Sequence, residues 1–114
     1  MSPPSSLVNR RQSLRQKAAL PAILVTLDNS MALDCVIRDI SESGAKLAVP
    51  PSRQIPEQFF LIDVRARTAH KATLAWRTEK EIGIQYQSTM ALTASLDRSL
   101  RFLNRLWLER AARL

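Results

Sequence analysis

Two small polar clusters break an otherwise apolar chain and could do chemistry together. One is a run of bases, Arg10, Arg11 and Arg15 in "RRQSLR" (10–15); the other is Asp39, Ser41 and Gly44 in "RDISESGAKL" (38–47). In an extended strand Asp39 and Ser41 project to one face, expected here to be the solvent face, while Ile40 points to the core. Gly44 closes the excursion, through either a positive φ or a gap in which a ligand can lie. Guanine shows acceptors O6 and N7 on one edge, which an arginine fork matches. Its Watson–Crick edge shows N1–H and N2–H donors, which a carboxylate and a hydroxyl can accept. Remaining guanidinium groups can pair with phosphate or stack over a base. Each cluster also has a plainer reading: D-x-S-x-x-G is what turns use, and a basic arm alone is a solvated or non-specific anion-binding tail.

No catalytic set accompanies these clusters. His70 is the sole histidine and reads as a surface or edge-strand residue; Cys35 lies on an apolar strand and reads as core filler. No acid pair has metal-ligand company. The chain therefore reads as a non-enzyme without metal or cofactor, and Trp76 and Trp107 read as packing residues before stacking platforms.

The elements that must position the clusters follow from periodicity. Residues 1–9 are Pro/Ser-rich, and with the basic stretch they form a flexible N-terminal arm over residues 1–20. β-branched runs at 22–29 and 32–40 suggest a hairpin, "AKLAVP" (45–50) a third strand, and 57–67 with 70–78 another hairpin. "EIGIQYQ" (81–87) alternates, with Ile82, Ile84 and Tyr86 on one side and Gly83 on the other, where it marks a bulge or a close backbone approach. Six short strands over 21–90 argue for a small antiparallel barrel or sandwich. From 91 to 114 the period becomes helical: Leu92, Leu96, Leu100, Leu103 and Trp107 make a stripe opposite Arg98, Arg101 and Arg105. Thr93 or Ser95 could cap it, and the helix should pack on the barrel. Phe102 and Leu108 leave room for a homodimer seam.

Seventeen Lys+Arg against ten Asp+Glu give a net charge of +7, which favours an anionic partner without choosing one. A single cysteine excludes an internal disulfide, so a reducing compartment is the simpler expectation. Bases far from Met1, Pro21 inside the apolar run, and an acid directly before Cys35 argue against a lipoprotein leader. No stretch is long and apolar enough for a transmembrane segment. A cytoplasmic location is expected.

"RRQSLR" followed by "DISESG" (39–44) resembles the paired RxxxR and D/NxSxxG motifs of PilZ domains, bacterial receptors. "ATLAWRTEKEIGIQYQ" (72–87) is similar to that family's penultimate hairpin. The resemblance implies a mainly β fold, a six-stranded antiparallel β-barrel with a C-terminal α-helix, that binds cyclic di-GMP. It assigns Arg11 and Arg15 to guanine and phosphate, Arg10 to a neighbouring contact, Asp39 and Ser41 to a guanine edge, and Gly44 to close approach. Every motif position is filled.

On that reading the arm orders around the messenger and creates a surface for a partner protein of unknown identity, since a chain this size has no output domain of its own. Two alternatives remain at this level. A small basic nucleic-acid- or membrane-surface-binding protein would show steep salt dependence and indifference to base identity; the acid-and-hydroxyl pair makes nucleic acid the weaker expectation. A ligand-independent adaptor would meet its partner through the helix.

Overall fold

Strands whose two faces are both covered read as unbroken apolar runs, and two strands here do so for that reason. The computed structural model describes residues 16–50, 54–93 and 96–112. They form β1 (Gln16–Thr26), β2 (Ala32–Ile40), β3 (Gly44–Ala48), β4 (Gln58–Asp63), β5 (Thr68–Arg77) and β6 (Glu81–Ala91), a 3₁₀ turn at Arg98–Leu100, and α1 (Arg101–Ala111). The strands pair antiparallel and close into a barrel in the order β1-β2-β3-β6-β5-β4. Closure leaves no sheet edge exposed.

In β1 and β4 alternate residues serve two cores. Ala22, Leu24, Phe59 and Leu61 fill the barrel with Leu33, Cys35, Ile37, Leu47, Ile82 and Ile84. Ile23, Val25, Phe60 and Ile62 point outward and bury against Leu92 and Leu103, flanked by Leu96, Leu100, Phe102 and Trp107. The Phe102 ring meets Phe60 edge-on with centroids 6.0 Å apart, so Phe102 packs on the barrel. Leu108, by contrast, remains exposed. The Trp107 indole N–H donates to the Val64 carbonyl at 2.7 Å, pinning α1 to the β4–β5 turn.

Several features differ from the sequence reading, among them the β4–β5 turn, which falls at 64–67 because β4 ends at Asp63 and β5 begins at Thr68. β1 begins at Gln16, ahead of the expected start at Pro21. Pro21 has no N–H to donate, but it lies one residue before the β4 ladder starts at Ala22–Asp63, so only one flank of β1 is laddered there. The helix begins at Arg101 after the 3₁₀ turn, and Leu92 follows directly on β6. Leu92 donates its N–H to the Arg67 carbonyl at 3.1 Å and joins the same core as Leu103, so a shared burial mimics a helical stripe. No side chain caps either helical start; Ser95 lies outside the described residues. His70, expected at the surface or on an edge strand, is instead buried on β5.

Around the ring, β3 and β6 stand diametrically opposite β1 and β4. Helix α1 covers the β1–β4 wall, and among the described residues no helix covers the opposite wall. No helix among the described residues is long and apolar enough to cross a membrane.

Candidate functional site

A bulge decides which way Asp39 points. Strict alternation along β2 would place Asp39 inside the barrel, in phase with the buried Leu33, Cys35 and Ile37. The β2–β3 ladder pairs Ile37 with Leu47 and then Asp39 with Lys46, leaving Arg38 as the extra residue. Asp39 thereby turns to the outer wall beside Lys46, and Ile40 packs toward the core. The β1–β2 ladder shifts at the same point, between Lys17–Asp39 and Leu20–Ile37.

Asp39 is nevertheless not open to solvent as the sequence suggested. It is 8% exposed, and its Oδ2 lies 3.4 Å from the Lys46 ammonium. Ser41, just beyond β2, builds the turn as well as facing the site: its N–H and its hydroxyl both donate to the Gly44 carbonyl, at 2.9 and 3.2 Å. The turn reading therefore holds, and the turn also lines a cleft. Gly44 has no positive φ. It is required because a Cβ there would collide with the Ile84 carbonyl, so the close approach it permits is that of β6.

These residues line an open cleft of about 530 Å³ on the β2–β3–β6–β5 wall, a size suited to small ligands. Asp39, Ser41 and Gly44 form one side, and Trp76, Gly83 and Gln85 the other. A continuous row crosses four strands: Asp39 opposite Lys46, Lys46 opposite Gly83, Gly83 opposite Trp76. Gly83 carries no side chain, and the Trp76 indole occupies the space that a Cβ would need. Trp76 is 46% exposed, so it is a half-open aromatic face in the cleft and not core packing.

Arg10, Arg11 and Arg15 lie outside the described residues. Their point of attachment is defined, however. Arg15 is bonded to Gln16, whose partner in the β1–β2 ladder is Ile40, next to Asp39. Arg11 is five residues and Arg10 six from that point, a reach of at most roughly 20 Å.

Sequence reading missed Lys46 and Trp76 as site residues. Lys46 was signalled only by its phase, two residues after Gly44 on an outward position of β3. Trp76 was signalled by the outward glycine facing it.

β5 and β6 also hold a small polar cluster. His70 stacks on Tyr86 with centroids 3.9 Å apart and planes 7° from parallel, and its Nδ1 lies 2.8 Å from the Thr89 hydroxyl. Burial lowers the His70 pKa below its ordinary value, opposed in part by the Asp63 carboxylate. Burial, then the charge of Asp63, pushes the Tyr86 phenol up to about 12. Tyr86 donates its backbone N–H to the Ser43 carbonyl at 2.8 Å, joining this cluster to the Ser41–Gly44 turn. Burial and the neighbouring Asp34 push the Cys35 thiol up to about 12, which leaves it a poor nucleophile. Among the described residues no group of three His, Cys, Asp or Glu side chains could hold a metal ion.

A family model, that of the PilZ domain, matches residues 9–103. The matched span includes all three arginines, the whole barrel and the first turn of α1. No curated protein matches the chain.

Proposed function

The chain belongs to the PilZ domain family, and from that premise we propose that it is a receptor for cyclic di-GMP whose N-terminal arginines close over the ligand in the cleft beside Asp39. The observation that carries this reading is the place where β1 begins. β1 brings the residue after Arg15 into register with Ile40, between Asp39 and Ser41.

Charge supports the same arrangement. The described lining of the cleft holds Asp39 and Glu81 against Lys46, so it is net acidic although the chain is +7. A diester carrying two phosphates needs added cations there, and Arg10, Arg11 and Arg15 precede β1, whose first residue pairs with Ile40 beside Asp39. Asp39 and Ser41 would accept from a guanine edge, Arg11 and Arg15 would hold guanine and phosphate, with Arg10 alongside, and Trp76 offers a face for stacking. Ordering the arm converts binding into a change of shape that a partner protein can read. The protein acts as a receptor and not as a catalyst.

Calorimetry on the full chain tests this. Cyclic di-GMP should bind, cyclic di-AMP should bind poorly, and Arg11→Ala, Arg15→Ala or Asp39→Ala should each cost at least about 1.5 kcal/mol. No heat at high micromolar ligand would end the proposal. A non-specific polyanion binder would behave oppositely at one position, since Asp39→Ala would then strengthen binding.

A further inference from the structure

We propose that Lys46 reads the O6 atom of guanine and so sets the preference for guanine over adenine; this rests on the cyclic di-GMP reading above. Lys46 stands directly opposite Asp39 in the β2–β3 ladder, with Nζ 3.4 Å from Oδ2, and both line the cleft. Its side chain is 29% exposed, so the amine is held against the carboxylate while keeping access to the cleft.

Asp39 supplies carboxylate acceptors, and Lys46 sets an ammonium donor beside Oδ2. Guanine's Watson–Crick edge presents donor, donor, acceptor: N2–H, N1–H, O6. A carboxylate alone satisfies only the two donors and leaves O6 beside a negative charge. An ammonium next to Oδ2 meets O6 on its N1 side and leaves the N7-side lone pair for an arginine fork. Adenine places an N6 amino donor where O6 would be, so it would face the ammonium donor to donor. Its N1 is an acceptor, and it would oppose the carboxylate. Lys46 therefore does more than neutralise Asp39. Its four-carbon stem lets Nζ move from Oδ2 toward the base without leaving the carboxylate's field.

The position also explains why an ion pair is placed in a site that must bind an anion. A free Asp39 would repel incoming phosphates, whereas a paired one does not. The same amine then becomes a hydrogen-bond donor to the base.

The test uses the full chain, Lys46→Met, which keeps the apolar stem, and Lys46→Arg, which keeps a donor. Each is titrated with cyclic di-GMP and with its analogue bearing 6-thioguanine, in which a weakly accepting sulfur replaces O6 while N1–H and N2–H remain. Lys46→Met should weaken cyclic di-GMP about tenfold. It should bind the oxo and thio ligands alike, where the wild type prefers the oxo ligand, and Lys46→Arg should retain that preference. Discrimination against cyclic di-AMP should shrink by the same factor in Lys46→Met. Binding of cyclic di-GMP by Lys46→Met as tight as wild type, or tighter, would overturn the proposal by showing that Lys46 only competes for Asp39. An equal loss for oxo and thio ligands would overturn it too, by assigning the amine to phosphate. A wild type that binds neither ligand removes the receptor reading itself, an outcome distinct from any variant-specific result.

Discussion

The indole of Trp76 lies over Gly83, in the space that any other residue at 83 would fill with its Cβ. The two are partners in the β5–β6 ladder, next to a register shift between Leu74 and Trp76. Because the atoms in the way belong to a half-exposed side chain, Gly83→Ala should displace the indole and leave the sheet standing. Ligand binding should weaken several-fold with little change in the urea midpoint. A Trp107→Phe background leaves one tryptophan, whose emission should shift on the Gly83 change. An unmoved spectrum with unmoved affinity would show that Gly83 is not what places Trp76.

Gly44 gives the contrasting case. Its missing Cβ would meet the Ile84 carbonyl oxygen and the Gln85 backbone, neither of which can rotate away. Gly44→Ala should therefore force β3 from β6 and cost about 1–3 kcal/mol in denaturant unfolding. A loss of ligand binding without a loss of stability would mean that the glycine serves the ligand directly.

The barrel was legible because its rules are local: β-branched runs, alternation in β6, and turn residues between them. What escaped the sequence depends on partners far along the chain. Alternation along β2 is broken by the bulge at Arg38, so Asp39 reaches the outer wall for a different reason than simple counting implies. Pro21 marks a strand start only when both flanks are laddered, and here one flank is not. Leu92 sat in a helical spacing because β6 and α1 feed one core. His70 looked peripheral because a lone polar residue on a strand reveals nothing of the Tyr86 ring stacked on it. The motif residues were visible by type; that Lys46 and Trp76 line the same cleft emerged only once the strands were in register.

His70 should make stability depend on pH. It is buried, and that burial holds its pKa below the ordinary 6.5. As pH falls through 6.5 the unfolded chain gains a proton that the native barrel resists, so the native state loses ground. Above that pH the ring is neutral in both states and the effect vanishes. Urea midpoints should fall between about pH 7 and about pH 5.5, the range in which histidine titrates and carboxylates do not. His70→Gln, which can still bond Thr89, should flatten that slope. A wild-type midpoint constant across the window would contradict the burial argument.

Helix α1 should matter for stability and not for ligand affinity, because it covers the wall opposite the cleft. Leu103 is fully buried between α1 and the β1–β4 face. Leu103→Ala should cost about 2–5 kcal/mol, as large-to-small changes in closed cores do. The Arg110–Asp34 pair, at 2.6 Å, also ties α1 to β2, but the Asp34 side chain is 68% exposed. Asp34→Ala should cost no more than about 1 kcal/mol. Under conditions where each variant is folded, both should bind cyclic di-GMP as the wild type does. Among the described residues the two faces are joined through the barrel, by way of residues such as Tyr86, whose ring stacks on His70 and whose N–H donates to the Ser43 carbonyl. A fall in affinity in folded Leu103→Ala, tracked by calorimetry beside circular dichroism, would show that the helix and the cleft are coupled across that core.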